Sequence, residues 1–159
     1  MAFIKCIIHF LKQLIGSAMQ NPYHGYHFQV DWGGTRIGFA EVSGLDIFVE
    51  AVDFREGSSP VDSSRKLPGL IKYNNITLKR AIVANDQEFF AWINTKRNNV
   101  IERRDVVIKL LDADHAPVVT WQVHNAFPVR YSGPVLKAGD GGVAMEELEL
   151  AHDGLRVAT

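Results

Sequence analysis

Cysteine is almost missing from this chain: Cys6 is the only one in 159 residues. A lone thiol excludes an internal disulfide framework and a cysteine-based structural zinc site. Strong net charge is missing too. The balance of 17 Lys and Arg against 18 Asp and Glu is −1, which gives no reason to expect a nucleic acid or an anionic membrane as partner. There are no internal repeats and no low-complexity segments. The common motifs of chemistry are absent as well, with no G-x-S-x-G, no phosphate-cradling glycine loop and no H-E-x-x-H. His24 and His27 are three apart on a segment that reads as extended, where their side chains point to opposite sides. Asp112, Asp114 and His115 sit in a turn, where Asp serves backbone hydrogen bonding, and Glu146, Glu147 and Glu149 read as an exposed acidic edge. No metal, cofactor or catalytic set is expected, and an enzyme reading has no positive support.

What is present is an ordinary globular composition, 47% hydrophobic and 22% charged, in a length suited to one domain with a sizeable core. The organising stretch is Lys66–Ala81. It opens on Leu67-Pro68-Gly69, a turn signal, then alternates Ile71, Tyr73, Ile76 and Leu78 with polar residues. A phase slip at Asn74-Asn75 suits a bulge or tight turn. Arg55–Gly69 is polar and long for a connection in a compact domain, so it reads as functional, ordered on assembly, with a solvated flexible loop as the alternative.

Met1–Gln20 differs in composition from the rest. Ile4, Ile7, Ile8, Leu11, Leu14 and Ile15 recur at helical spacing, yet His9 and Lys12 interrupt the apolar stretch and it is too short to span a bilayer. It reads as an extension outside the domain or a start misplaced upstream of Met19. A partner-binding or core-packing helix and a secretion signal are the competing readings. The domain itself is placed at residues 21–159.

Phe28, Val30 and Trp32 alternate as a strand, Gly33-Gly34 reads as a hairpin turn, and Ile37–Val42 as the return strand. Leu45–Phe54 is a long β-prone run able to project beyond the core and pair with another chain. Asn85 or Asp86 caps a helix over Asp86–Lys96, whose Phe89, Phe90, Trp92 and Ile93 form a core-packing face. Strands follow at Asp105–Leu111, at Val118–His124 with Phe127–Val129 continuing extended, and at Val143–Ala151, where a helix competes. The class is mainly β (α+β), a barrel or sandwich with one flanking helix. Nine of the Lys and Arg residues fall in 65–104 against Asp86, Glu88 and Glu102, so unlike charged faces on successive copies compete with plain solvated faces.

Seven segments in order carry a resemblance: Phe39–Leu45, Arg55-Glu56-Gly57, Lys66–Ala81, Glu102–Asp112, Trp121–Val129, Ser132-Gly133-Pro134 and Glu147–Leu155. Together they resemble the tail tube proteins of contractile phages, above all the inner-tube subunits of phage-tail-like extracellular contractile injection systems. The resemblance covers about residues 22–156. It implies hexameric rings stacked into a tube, with a lumen that carries DNA or toxin. It also implies sheath, baseplate, spike and tube-terminating proteins as partners, with no membrane anchor. Assembly is expected in the cytoplasm, followed by residence in a virion tail or an extracellular particle. A type VI secretion-like ring protein and a small soluble ligand-binding barrel are the alternatives. The residues expected at the subunit interface are Arg55, Glu56, Gly57, Asp62, Arg65, Lys66, Leu67 and Pro68.

Overall fold

The computed structural model describes residues 23–34, 38–58, 60, 62–98, 100–139 and 141–158. Residues 1–20, and with them the readings of the apolar stripe, lie outside the described residues. The described residues hold nine strands and one short α-helix: β1 (Phe28–Asp31), β2 (Phe39–Ser43), β3 (Ile47–Phe54), β4 (Arg65–Tyr73), β5 (Ile76–Ala81), α1 (Glu88–Asn94), β6 (Arg104–Leu111), β7 (Pro117–Ser132), β8 (Met145–Ala151) and β9 (Gly154–Ala158). The main sheet runs β1-β6-β7-β8-β5-β2, with β9 also on β7, and β3 with β4 forms a separate two-stranded ribbon.

Strand β7 joins the two halves of the body. Its first half lies between β6 and β9, whereas its second half pairs with β8. The bend between them is at Asn125, whose φ is 53°. Asn tolerates the left-handed region better than most residues. Its N–H donates to Asp105 Oδ1 at 2.9 Å, and Asp153 N donates to the His124 carbonyl at 3.0 Å. The two extended pieces expected at Val118–His124 and Phe127–Val129 are therefore one strand.

Period-two alternation builds the core. Ile76 and Leu78 of β5 are opposite Leu150 and Leu148 of β8, and all four are fully buried. Val106 and Ile108 of β6, Val123 and Ala126 of β7, and Leu155 of β9 join them from the other half. Phe89 and Trp92, three apart on α1, close the cluster against Trp32 at ring separations of 5.3 and 5.7 Å. The N-cap position is Gln87, not Asn85 or Asp86, and it carries no side-chain cap. Asp86 Oδ1 accepts from the Glu88 N–H at 3.0 Å from one residue further out, and the helix is shorter than Asp86–Lys96 and continues as a 3₁₀ turn over Thr95–Asn98. Phe90 stays half exposed and stacks edge-on against Tyr131.

Several expectations change. Gly33-Gly34 does not join a hairpin: β1 pairs with β6 and β2 pairs with β5, at opposite ends of the sheet. Leu67-Pro68-Gly69 is not a turn but part of β4, and the connection expected over Arg55–Gly69 is confined to residues 55–64. The pairing Val49↔Ile71 shifts to Ala51↔Pro68, so the Pro-Gly pair lies at a bulge, one of the few places a strand accepts proline. A Cβ on Gly69 would come within 2.9 Å of the Glu50 carbonyl oxygen, which explains glycine there. Val143–Ala151 is a strand beginning at Met145, not a helix.

Glu146 corrects the acidic-edge reading most directly. The register sets it opposite Arg80, and both are buried, at 6% and 1% exposure. Arg80 occupies the third inward position of β5, after Ile76 and Leu78. Its Nε donates to Glu146 Oε1 at 2.7 Å and its Nη2 to Asp86 Oδ1 at 3.1 Å. Nη1 also lies 3.0 Å from Asp86 Oδ2, a charge contact whose angles do not make a hydrogen bond. The guanidinium sits 3.9 Å from the Phe89 ring centre, a cation–π contact in a dry site. Tyr131 completes the set, donating to Glu146 Oε2 at 3.0 Å. One arginine thus ties β5, β8, β7 and the start of α1 together.

The alkaline limb of stability should report this network. Burial, and then the bond to Glu146, push the Tyr131 hydroxyl above its ordinary value of 10.0, with Arg80 opposing. In the unfolded chain Tyr131 then ionises first. Stability is full below about pH 10 and falls as pH rises above it. Lys79, raised mainly by its hydrogen bond to Glu147, adds in the same direction above its ordinary 10.5. Urea midpoints at pH 9 and 11 should differ, and Tyr131→Phe should reduce that difference. An unchanged difference in the variant would remove Tyr131 from the account.

Candidate functional site

The ribbon of β3 and β4 is the feature that the body does not need. Every residue of β3 is exposed, as is every residue of β4 except Tyr73. Its sequence is nevertheless that of buried strands. Directly opposed residues share a face, so Ile47, Val49 and Ile71 lie on one side with Tyr73, and Val52 and Leu67 on the other, together with Phe48 and Phe54. Ile47, Val49 and Ile71 are 50%, 53% and 58% exposed, and Phe48, Val52 and Phe54 are 44%, 50% and 47% exposed. Apolar side chains on both faces of a two-stranded ribbon have no water-soluble purpose, and such an isolated ribbon is marginal by itself.

The base of this arm is fixed firmly. Gly44, at φ 86°, takes a conformation that L side chains rarely adopt, and a Cβ there would run into the Asn75 carbonyl oxygen. Asn74 donates through its backbone to the Asp46 carbonyl at 3.3 Å and through Nδ2 to Asp46 Oδ2 at 3.1 Å. His152 Nε2 meets the Asn74 carbonyl at 3.0 Å while its ring packs on Tyr73. The arm leaves the body at a set position.

The eight residues expected at an interface all fall on this arm. Arg65, Lys66, Leu67 and Pro68 are in β4; Arg55, Glu56, Gly57 and Asp62 are in the connection beyond β3. Lys66 Nζ reaches Asp53 Oδ1 at 2.7 Å, Lys72 reaches Glu50 Oε2 at 2.9 Å, and Arg55 reaches Asp62 Oδ1 at 3.4 Å. Phe54, Arg55, Glu56, Ser63 and Arg65 enclose a shallow hollow of about 200 Å³ at the tip. Such exposed pairs add little to stability, but they fix the ribbon's edges and keep them polar. Apart from Leu67 and Pro68, the apolar residues along the shaft were outside that set of eight. Their signal was available in β3, which is apolar at both parities over Ile47–Val49 and again at Val52 and Phe54.

Six of the nine basic residues of 65–104 are neutralised within the chain. Lys66, Lys72, Lys79, Arg80, Arg103 and Arg104 each have an acidic partner in the same chain. Among the described residues no group of three or more His, Cys, Asp or Glu could hold a metal ion, and no helix is long and apolar enough to cross a membrane.

Known proteins match most of this chain. The model of the T4-like virus tail tube protein gp19 family matches residues 24–156. No curated protein sequence matches the chain. Among solved structures, a chain of the PVC sheath–tube complex of an extracellular contractile injection system, in its extended state, is 32% identical. It covers 89% of this chain and 94% of its own, at a TM-score of 0.79. A chain of the anti-feeding prophage tube-terminating cap is 30% identical over 89% and 94%, at 0.81. Hcp1 from Flavobacterium johnsoniae is 15% identical over 82% and 93%, at 0.54, a similarity of fold alone.

Proposed function

The chain belongs to the T4-like virus tail tube protein family and is a structural tube subunit of a contractile injection system, and from that premise we propose that its copies close into hexameric rings stacked into a tube. The observation that carries this reading is the β3–β4 arm, whose two apolar faces are covered once it lies between neighbouring copies. Edges that are a hazard in a monomer become pairing sites in such an assembly. The same reading assigns the solvated connection 55–64, with Arg55, Glu56, Gly57 and Asp62, and the strand residues Arg65, Lys66, Leu67 and Pro68, to contacts within or between rings.

The role is mechanical, and no step in it needs a metal, a cofactor or a catalytic group. Solved relatives come from a sheath–tube complex, a tube-terminating cap and a baseplate. The corresponding partners for this chain are a sheath around the tube, a baseplate with its spike and a terminator, with DNA or protein toxin in the lumen. Subunits would gather in the cytoplasm before they enter the particle.

Two measurements test this. Concentrated protein should show rings and tubes by negative-stain microscopy; a monomer at every concentration would overturn the assembly. Replacing Ser58–Ser64 by a short Gly-Ser linker should shift thermal unfolding by no more than a few degrees, since exposed substitutions cost about 0.5 kcal/mol or less. Tube counts should nevertheless fall. Normal tubes from that variant would clear the connection of any role in holding copies together.

A further inference from the structure

The two ends of β7 differ in a way that suits contact between successive copies. At its start, the β6–β7 turn and the residues leading into β1 enclose a cavity of about 270 Å³, lined chiefly by Tyr23, Tyr26, His27, Leu111, Asp112 and Asp114. The Tyr26 ring lies 4.5 Å from His27, and His27 lies 5.0 Å from His115, so one wall is aromatic. Asp112 Oδ1 accepts from the N–H groups of Asp114 and Ala116 at 2.9 and 2.8 Å, which fixes the turn and leaves two carboxylates at the rim. The cavity is smaller than the roughly 300–1,000 Å³ usual for small-molecule sites, and suits a side chain better than a ligand.

Beyond the other end of β7 stand Val135 and Leu136, each 82% exposed and followed by Lys137. Two adjacent aliphatic side chains displayed to that degree, with a cation beside them, form a knob. The limbs of β7 on either side of Asn125 are each about 25 Å long at the usual rise per residue, and knob and socket follow from opposite ends of that strand. We propose that Val135 and Leu136 of one copy seat in the aromatic cavity of the next, with Lys137 meeting the rim of Asp112 and Asp114. The contact joins two different surfaces, and such a head-to-tail contact extends into an open stack when it does not close. Opposite charge at the rim sets register more than it adds affinity. This inference rests on the stacking reading above and names the surfaces that do the stacking.

The test is a disulfide trap. In a Cys6→Ser background, Ala113→Cys at the socket is combined with Leu136→Cys at the knob, and assembled protein is oxidised gently. The expected result is a non-reducing ladder that passes six chains, absent from either single variant. As a second arm, Lys137→Glu should cut tube yield about tenfold, the effect of about 1.4 kcal/mol per contact, and Asp114→Lys in the same chain should restore it. Tubes without a ladder and without rescue overturn the inference and leave stacking intact. Absence of tubes from the unmodified chain overturns both. A ladder that stops at six moves the contact around the ring, and a ladder seen only after removal of residues 1–18 gives the cavity to the chain's own leading segment; either result overturns the proposal.

Discussion

A chain carrying Val49→Glu together with Ile71→Lys should fold as before and form no tubes. The two positions are directly opposed in the arm, so the new charges make a cross-strand pair of the kind that stabilises a ribbon by a few tenths of a kcal/mol. Both side chains are more than half exposed in the single copy, and little folded-state stability is at risk. Assembly is another matter. Covering the exposed half of an aliphatic side chain contributes about 1–1.5 kcal/mol, and the variant loses two of these at every contact. Each interface must in addition bury charge that no neighbour is built to receive, at a further cost of several kcal/mol. Repeated around a ring, this exceeds any plausible contact energy. Size-exclusion chromatography beside circular dichroism separates the outcomes: a folded monomer is expected, and abundant tubes would show that this face of the arm remains wet in the assembly. Val49→Ile with Ile71→Val, which keeps the apolar face, should assemble normally.

The second large effect lies in the body. Arg80→Met should lower stability by roughly 3–5 kcal/mol, because Glu146 and Asp86 are left charged beside an apolar side chain. For a chain of this size that corresponds to a fall in Tm of roughly 10–15 °C. Adding Glu146→Leu should recover part of the loss, since it removes one of the two carboxylates left without Arg80. If the single change costs less than about 1 kcal/mol, the guanidinium is no keystone and solvent reaches the site more freely than its 1% exposure implies.

These two results also mark how far the chain's architecture could be read from its residues. Alternation disclosed β5 through Ile76 and Leu78 and β8 through Leu148 and Leu150, because burial of one face leaves a local trace. Arg80 and Glu146 follow the same parity, yet a charged residue in an alternating run reads as solvent-facing. Only the register between strands 66 positions apart turns the two side chains on one another. Leu67-Pro68-Gly69 failed for a related reason. The local chemistry is that of a turn, but pairing with β3 holds the segment extended and confines the irregularity to a bulge. At Gly33-Gly34 the chain does bend, but the next strand crosses to the far edge of the sheet, a choice set by core packing and invisible in a dipeptide. As for the candidate site, the polar tip was legible as an overlong connection. Its apolar shaft was legible as a β-prone run long enough to reach another chain, but not residue by residue, since nothing local tells a strand buried by its own chain from one awaiting another.

The ion cluster around Arg80 has a consequence on a longer clock. Lineages change by single substitutions, and here each single step at positions 80 or 146 strands a charge in a dry place, while both ends of the exchange, ionic or fully apolar, are acceptable. The intermediate is the barrier. Positions 80, 86 and 146 should therefore be inherited as one character: a descendant is expected to keep the trio intact or to reach its replacement by way of a weakened ancestor, however freely the surface around it drifts.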